Sequence, residues 1–218
     1  MARWKNASYL NEFQLKRDTV LRESGRIFNR EGFHNTSLDD VANHLDVSKA
    51  TLYNYVKDKQ EMLFEFHKMA LIIGDEAMEM ARKVEANGAG KLRVAIREYI
   101  AMVTERLGGY GVIAELGALK PLDRQEIIAG RERFDKRFVA LLAIGVKDGS
   151  LRPIDPKMAV FAFMGALQTI PNWFSPNGRL SGAEVAERMT DLLMNGMATT
   201  PASVSSAQRS NPLSTLKA

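Results

Sequence analysis

The 218-residue sequence predicts an all-α protein of about nine helices, and three observations carry that prediction. No stretch sustains the alternating apolar and polar pattern of a half-buried strand. Apolar residues recur instead at helical spacing, as in Leu38, Val41, Ala42 and Leu45. Several such runs open on a capping residue with an acid three places on, as in Ser37 with Asp40 and Asp58 with Glu61.

Composition narrows the setting. Cysteine is absent, which removes disulfide and thiol chemistry and fits a reducing cytoplasm. No run reaches the roughly 18 apolar residues of a membrane span, and the polar N-terminus lacks a signal core. The expected location is therefore cytoplasmic. Net charge is +4. Residues 1–60 carry ten Lys or Arg against eight Asp or Glu, and residues 61–198 carry eighteen of each. That excess is too small for binding nucleic acid by charge alone; it suits a basic rim on a shaped surface.

In chain order, residues 1–12 mix Arg3, Trp4, Lys5 and Tyr9 without periodicity and read as a flexible arm. Such an arm either floats or touches DNA backbone and minor groove. Residues 13–31 form a first helix with Val20, Leu21, Ser24, Ile27 and Phe28 inward. Gly32 is placed to end it and Phe33 tucks back against it. Lys16, Arg17 and Arg22 lie on or near its start, as phosphate contacts or as a solvated face.

Ser37 then caps a short helix that ends at Asp46, a residue tolerant of left-handed backbone. Ser48 caps the next, from Lys49 to Tyr55, with Leu52 and Val56 on the apolar side. Two helices of about two turns joined by a tight turn bury too little to stand alone, and they fit a helix-turn-helix within a DNA-binding domain over 13–60. The second helix presents Lys49, Thr51, Tyr53, Asn54 and Tyr55 as donors, a methyl and aromatic hydroxyls suited to phosphates and base edges. A solvated surface helix is the alternative.

Thr36, Ser37, Val41, Ala42, Val47, Ser48, Leu52, Tyr53, Tyr55, Lys59 and Met62 give this stretch its wider likeness. It resembles the DNA-binding domain of the TetR family of bacterial transcriptional regulators, and the upstream helix matches through Val20, Leu21, Ser24, Phe28, Gly32 and Phe33. The match covers roughly residues 14 to 66 and departs at Leu45, Asp46, Ala50 and Val56. Ala50 stands where glycine is usual, so its approach to the groove differs. The resemblance implies a pseudo-palindromic double-stranded operator. The expected DNA-binding residues are Ser37, Ser48, Lys49, Ala50, Thr51, Tyr53, Asn54, Tyr55 and Lys59; of these Tyr53 and Lys59 mainly anchor phosphates while Lys49, Ala50 and Thr51 face base edges.

From Asp58 a long helix runs through Met62, Leu63, Phe66, Met69, Ala70 and Ile73 to about Glu85. It leaves the first bundle for a second over 61–198, and the resemblance makes it the link between a DNA-binding domain and a ligand-binding, dimerising one. Helical patterns follow at 91–107, about 110–119 and 123–148, punctuated by Gly88, Gly90, Pro121 and Gly149. A last pair spans 157–174 and 181–198, around the turn Ser175 to Leu180. Ala159, Ala162, Phe163, Ala166, Leu167 and Ile170 share one face of the first, and Val185, Met189, Leu192 and Gly196 one face of the second. The resemblance makes this pair a homodimer seam; a core within one chain is the alternative. Residues 199–218 are Ser, Thr, Pro and Ala rich and read as a disordered tail.

No grouping supports catalysis: there is no G-x-S-x-G, no P-loop and no G-x-G-x-x-G after a strand. Asp40 with His44 and Glu61 with Glu65 have metal-ligand spacing but nothing to complete a site. No metal or cofactor is expected. The second domain is rich in Met69, Met102, Tyr110, Phe134, Phe138, Met164 and Trp173, with Arg106, Gln168 and Asn172 among them. These read either as core or as an adaptable cavity for a mainly apolar molecule with a polar head. The stretch around Trp173, Pro176, Gly178 and Leu180 is similar to TetR members that sense acyl thioesters or sterol-ring catabolites. Two functions stay open: a dimeric repressor answering to a small molecule, and a DNA-binding factor without a ligand.

Overall fold

The computed structural model describes the backbone of residues 2–107 and 115–195, with the side chains of 2–11, 168, 171 and 172 left aside. Nine α-helical segments and no strand occur among the described residues. Helix α1 is Ala2–Glu31, α2 Leu38–His44, α3 Lys49–Tyr53 and α4 Lys59–Lys83. Then come α5 Gly88–Arg106, α6 Pro121–Lys147, α7 Pro156–Gln168, the four-residue α8 Ile170–Trp173 and α9 Gly182–Asn195.

Local chemistry places the boundaries. Ser37 closes a full capping box: its hydroxyl accepts from the Asp40 N–H, and the Asp40 carboxylate accepts from the Ser37 N–H at 2.8 Å. Asp46 takes the left-handed turn with φ +52°, the only described non-glycine residue to do so. Asp58 caps α4 by accepting from the Glu61 N–H at 2.7 Å, while Glu61 reaches past it to accept from the Lys57 N–H. Ser181 and Glu184 repeat the capping box at α9.

Three expectations need correction. The arm over 1–12 continues α1, which starts at Ala2; the segment holds no Gly or Pro and is rich in helix formers. Of the helix expected at about 110–119, the described part forms only a 3-10 turn, Leu116–Ala118. The helix expected over 157–174 breaks at Thr169. Pro171 has no N–H to offer the Leu167 carbonyl, so the ladder restarts as α8. The tail at 199–218 lies outside the described residues.

Two cores lie along α4. The first joins Leu21, Phe28, Phe33, Val41, Leu52, Val56, Leu63 and Phe66, and runs on without a break into Val103, Leu107, Leu119 and Ile127. The helix-turn-helix therefore shares its core with the ends of α5 and α6. Lys120 seals that contact, its ammonium 2.9 Å from the Asp58 carboxylate. The second core joins Leu92, Ile96, Ile100, Phe138, Leu142, Phe163, Ile170 and Val185. Helices α5 and α6 pack on α4, α9 lies along α5, and α7 lies along α6. Arg93 on α5 ties α9 through Glu187 and Asp191.

Helix α5 starts in backbone contact with α6: a Cβ on Gly88 would sit 2.2 Å from the Gly145 Cα. Gly88→Ala is expected to force these backbones apart and destabilise the chain by about 1–3 kcal/mol. Urea unfolding measures it, and an unchanged midpoint would mean that the two helices slide freely.

Candidate nucleic-acid interface and effector cavity

Helix α3 and the turn before it form the more regular site. Ser48 caps α3, its Oγ 3.1 Å from the Thr51 N–H and 2.8 Å from Thr51 Oγ1. Leu52 is fully buried beneath, which fixes the rotation of the helix. That rotation leaves Lys49, Ala50, Tyr53 and Asn54 exposed and Thr51 half-buried. Lys49 bonds the Asp39 carboxylate on α2 at 2.7 Å, and that bond raises its pKa. The exposed face is thus one donor-rich strip held across two helices.

Tyr55 does not join that strip. It lies after the end of α3, half-buried, with its ring 5.2 Å from that of Phe13. Arg17 is drawn inward too: its Nε donates to the Tyr55 carbonyl at 3.1 Å and its guanidinium bonds Glu61 at 2.9 Å. Ser37 and Ser48 spend their hydroxyls as caps. Lys59 begins α4 half-buried, its Nζ 4.2 Å from the centroid of Phe33 and 5.6 Å from that of Phe28. Burial lowers its pKa, and the nearby Asp40 charge opposes the shift. His44 Nδ1 lies 2.8 Å from the Asp40 carbonyl and its Nε2 lies 2.8 Å from Arg30 Nη2, so the Asp40–His44 spacing serves local hydrogen bonds.

The second site is a half-open cavity of about 300 Å³ beside the middle of α4. Its walls are Ala70 and Leu71 of α4, Phe134 of α6, and Phe161, Met164 and Leu167 of α7. Four polar side chains interrupt them: His67, Tyr99, Arg131 and Asp135. An aromatic series runs from the cavity into the core, Tyr99 to Phe134 at 5.7 Å, on to Phe138 at 5.8 Å and Phe163 at 5.6 Å. Arg131 Nη2 lies 3.2 Å from His67 Nδ1. A guanidinium only donates, so Nδ1 accepts and the imidazole proton sits on Nε2. Burial, then the Arg131 charge, pushes the His67 pKa down to about 4. Burial also lowers the Arg131 pKa and raises those of Tyr99 and Asp135.

Of the residues expected in a cavity, Phe134 and Met164 line this one. Met69 and Met102 pack in the first core and Phe138 in the second. Arg106 is exposed and bonded to Glu76, and Trp173 is 52% exposed beside a shallow dent. Tyr110 lies outside the described residues, as do the side chains of Gln168 and Asn172. His67, Tyr99, Arg131 and Asp135 fall outside the sequence expectation. A signal for two of them exists: Arg131 falls on the stripe Ile127, Phe134, Phe138, and His67 on the stripe Leu63, Ala70, Gly74.

The seam residues divide as well. Phe163, Ile170 and Val185 are buried in this chain's own core, Ala159 and Met189 pack against that core half-buried, and Ala166 is half-buried. Ala162 and Leu192 are exposed and line an outer groove that Ala159 and Phe163 also border, and Gly196 is outside the described residues. The apolar side chains that α7 turns outward are Met158 and Phe161, 60% and 55% exposed. A groove of about 530 Å³ lies between Met158 and Ala162 of α7 and Leu192 and Leu193 of α9. No helix among the described residues is long and apolar enough to cross a membrane.

A helix-turn-helix on a helical domain that holds a cavity defines a class of bacterial regulators, and the comparisons name it. The model for "Bacterial regulatory proteins, tetR family" matches residues 20–66, and that for "Tetracyclin repressor-like, C-terminal domain" matches residues 85–197. The chain belongs to the TetR family of transcriptional regulators. It is 26% identical to the transcriptional regulator RutR of Escherichia coli K12 over 179 residues, 80% of this chain and 82% of that one. The structure of the TetR-family regulator PfmR from Thermus thermophilus superposes with a TM-score of 0.71 at 30% identity, covering 81% of this chain and 97% of that one. AibR in complex with isovaleryl coenzyme A and operator DNA shares the fold, with a TM-score of 0.65 at 24% identity over 82% of this chain and 97% of that one.

The neutral His67 has a measurable consequence. Its pKa falls from 6.5 to about 4 on folding, so between those values the unfolded chain takes up a proton that the folded chain refuses. Stability from this group is complete above pH 6.5 and is lost as pH falls toward 4, at up to about 1.4 kcal/mol per pH unit. Urea unfolding at pH 7, 6 and 5 is expected to show wild type losing more stability than His67→Gln. Parallel curves would mean that His67 is charged in the fold.

Proposed function

We propose that this chain is a homodimeric repressor that a mainly apolar small molecule releases from its operator. One observation carries the reading: α4 serves both sites. Its first residue, Lys59, lies under the helix-turn-helix, and two turns on His67, Ala70 and Leu71 line the cavity. A ligand that favours another placement of α4 changes the spacing of two recognition helices and weakens operator binding by the same coupling factor. The ordinary size is about 1–3 kcal/mol, roughly 5- to 150-fold. The AibR complex supports the two-site part of the reading, since one fold there holds an acyl thioester and operator DNA. The reading places the protein in the cytoplasm and gives it no catalytic role.

On DNA, Lys49, Ala50 and Thr51 face base edges, and Lys49 exchanges Asp39 for the groove. Tyr53 and Lys59 hold phosphates, Asn54 lies at the strip's edge, and Ser37 and Ser48 hold the helix starts in register. Half-sites then lie about one DNA turn, 34–36 Å, apart or a multiple of it. The partner's helices fill the groove between α7 and α9, covering Met158, Phe161, Ala162 and Leu192. Titration of a labelled operator with candidate acyl compounds tests the whole reading. A ligand that binds the cavity tightly and leaves operator affinity unchanged would remove the coupling.

Lys59→Gln is expected to weaken binding to every sequence alike and to lower the slope of log affinity against log salt by about one. An unchanged slope with altered base preference would reverse the roles of Lys59 and Thr51. Leu192→Asp is expected to raise the dimer dissociation constant at least tenfold, about 1.4 kcal/mol. Sedimentation reads this, and an unaltered dimer would move the seam to another face.

A further inference from the structure

The cavity's polar groups are unevenly matched to a purely apolar ligand. A guanidinium in an apolar wall is kept there against its own desolvation, which already lowers its pKa. On α4 it meets the neutral His67 imidazole, while the Asp135 carboxylate one turn along α6 supplies an opposite charge that only partly offsets the desolvation. Buried His67 Nε2 has no acceptor among the described residues. Tyr99 adds a hydroxyl donor to the same wall. Asp135, four residues on from Arg131, opposes a second negative charge in the space.

We infer that Arg131 reads the carboxylate of a monoanionic acid whose hydrocarbon body lies against Leu71, Phe134 and Met164, and that this carboxylate displaces His67 from Arg131. The inference rests on the effector reading above and names its ligand class. The planar fork of arginine matches a carboxylate in two parallel bonds, and a charged partner outcompetes a neutral imidazole. Asp135 disfavours a phosphate dianion. At about 300 Å³ the cavity is at the lower end of ligand pockets, sized for an acid and not for the nucleotide of a coenzyme thioester.

The same binding loosens α4. Leu71 of α4 fills the hollow at Gly130 of α6, where a Cβ would sit 2.4 Å from Leu71 Cδ1. Phe134 of α6 fills the hollow at Gly74 of α4, where a Cβ would sit 2.8 Å from the Phe134 ring. These reciprocal knobs set the register of α4 against α6, and both line the cavity. A hydrocarbon body presses on both knobs while the carboxylate removes the Arg131–His67 bond.

Calorimetry and operator titration on the full-length chain test the inference. The probes are pentanoate, octanoate, decanoate and cyclohexylacetate, with the matched primary alcohol and coenzyme A thioester of each. At least one acid is expected to bind tenfold or more tighter than its alcohol and to lower operator affinity. Arg131→Gln is expected to abolish that ratio, to bind operator more weakly without acid, and to show no further change with acid. Arg131→Lys keeps the cation without the fork and is expected to fall between. Equal binding of acid and alcohol by wild type overturns the inference whatever the variants do, as does a ratio that survives in folded Arg131→Gln. If only thioesters or alcohols bind and release DNA, the carboxylate assignment falls while the effector reading stands. If an acid binds through Arg131 and operator affinity stays fixed, the assignment stands and the release mechanism falls.

Discussion

Helix α4 has to satisfy two cores with one rigid rod, and the rest of the molecule is arranged around that constraint. Its 25 residues span about 37 Å at 1.5 Å per residue. At one end Met62, Leu63 and Phe66 are fully buried under α1 to α3; further on Ile73, Ala77 and Ala81 are buried among α5 and α6. Helix α3, with five residues, is far below the length at which an isolated helix persists in water. Its fold and aim come from Leu52 and Val56 packing against that rod. Any shift of α4 is therefore a shift of the recognition strip.

The electrostatics follow the same division. Most ion pairs here are exposed, such as Glu79 with Arg82 and Lys49 with Asp39, and pairs of that kind contribute little each. The groups whose environment matters are few and sit where α4 meets other elements. Asp58 links the α4 cap to Lys120, Lys59 lies on Phe33, and His67 is neutral against Arg131. The first two tie α4 to the helix-turn-helix and to the start of α6. The third joins a cation to a neutral ring, the sort of contact a competing anion displaces at low cost. Elsewhere apolar packing holds α4, together with charge-balanced ion pairs, Arg17 with Glu61, Arg106 with Glu76 and Arg137 with Asp75, so the contact with the neutral imidazole is the one an anion displaces most readily.

The helix-turn-helix was legible because its signals are local. Ser37 with Asp40, Asp46 at the turn and Ser48 each act within four residues, and the structure uses each as read. Tyr55 departs from its expected place because α3 ends at Tyr53, two residues before helical spacing alone would stop it. Helix α7 is harder to read for a different reason: it is apolar nearly all round. Val160, Phe163 and Leu167 face the core while Met158 and Phe161 face out, so periodicity finds two candidate faces and no way to rank them. Methionine content does not mark the cavity. Met62, Met78 and Met102 fill core instead, and the groups that distinguish the cavity are polar and charged residues, two of them on apolar stripes.

A charged residue on an apolar stripe is informative because the stripe fixes where it points. Arg131 shares its face with Ile127, Phe134 and Phe138, all buried, so its guanidinium enters the protein whatever the surroundings offer. The stem of such an arginine packs as hydrocarbon, but its head needs acceptors there. A leucine at that position would fill the wall with no desolvation cost, so stability alone does not account for the arginine. The proposed discrimination does: a half-buried guanidinium that trades a neutral imidazole for a carboxylate gains more from an anionic ligand than from a neutral one of the same shape. At the helix-turn-helix end of α4 the cation is Lys59, half-buried over the Phe33 ring. One rod thus carries one half-buried cation, Lys59, and contacts another, Arg131, with about two turns of helix from Lys59 to His67 between the two sites.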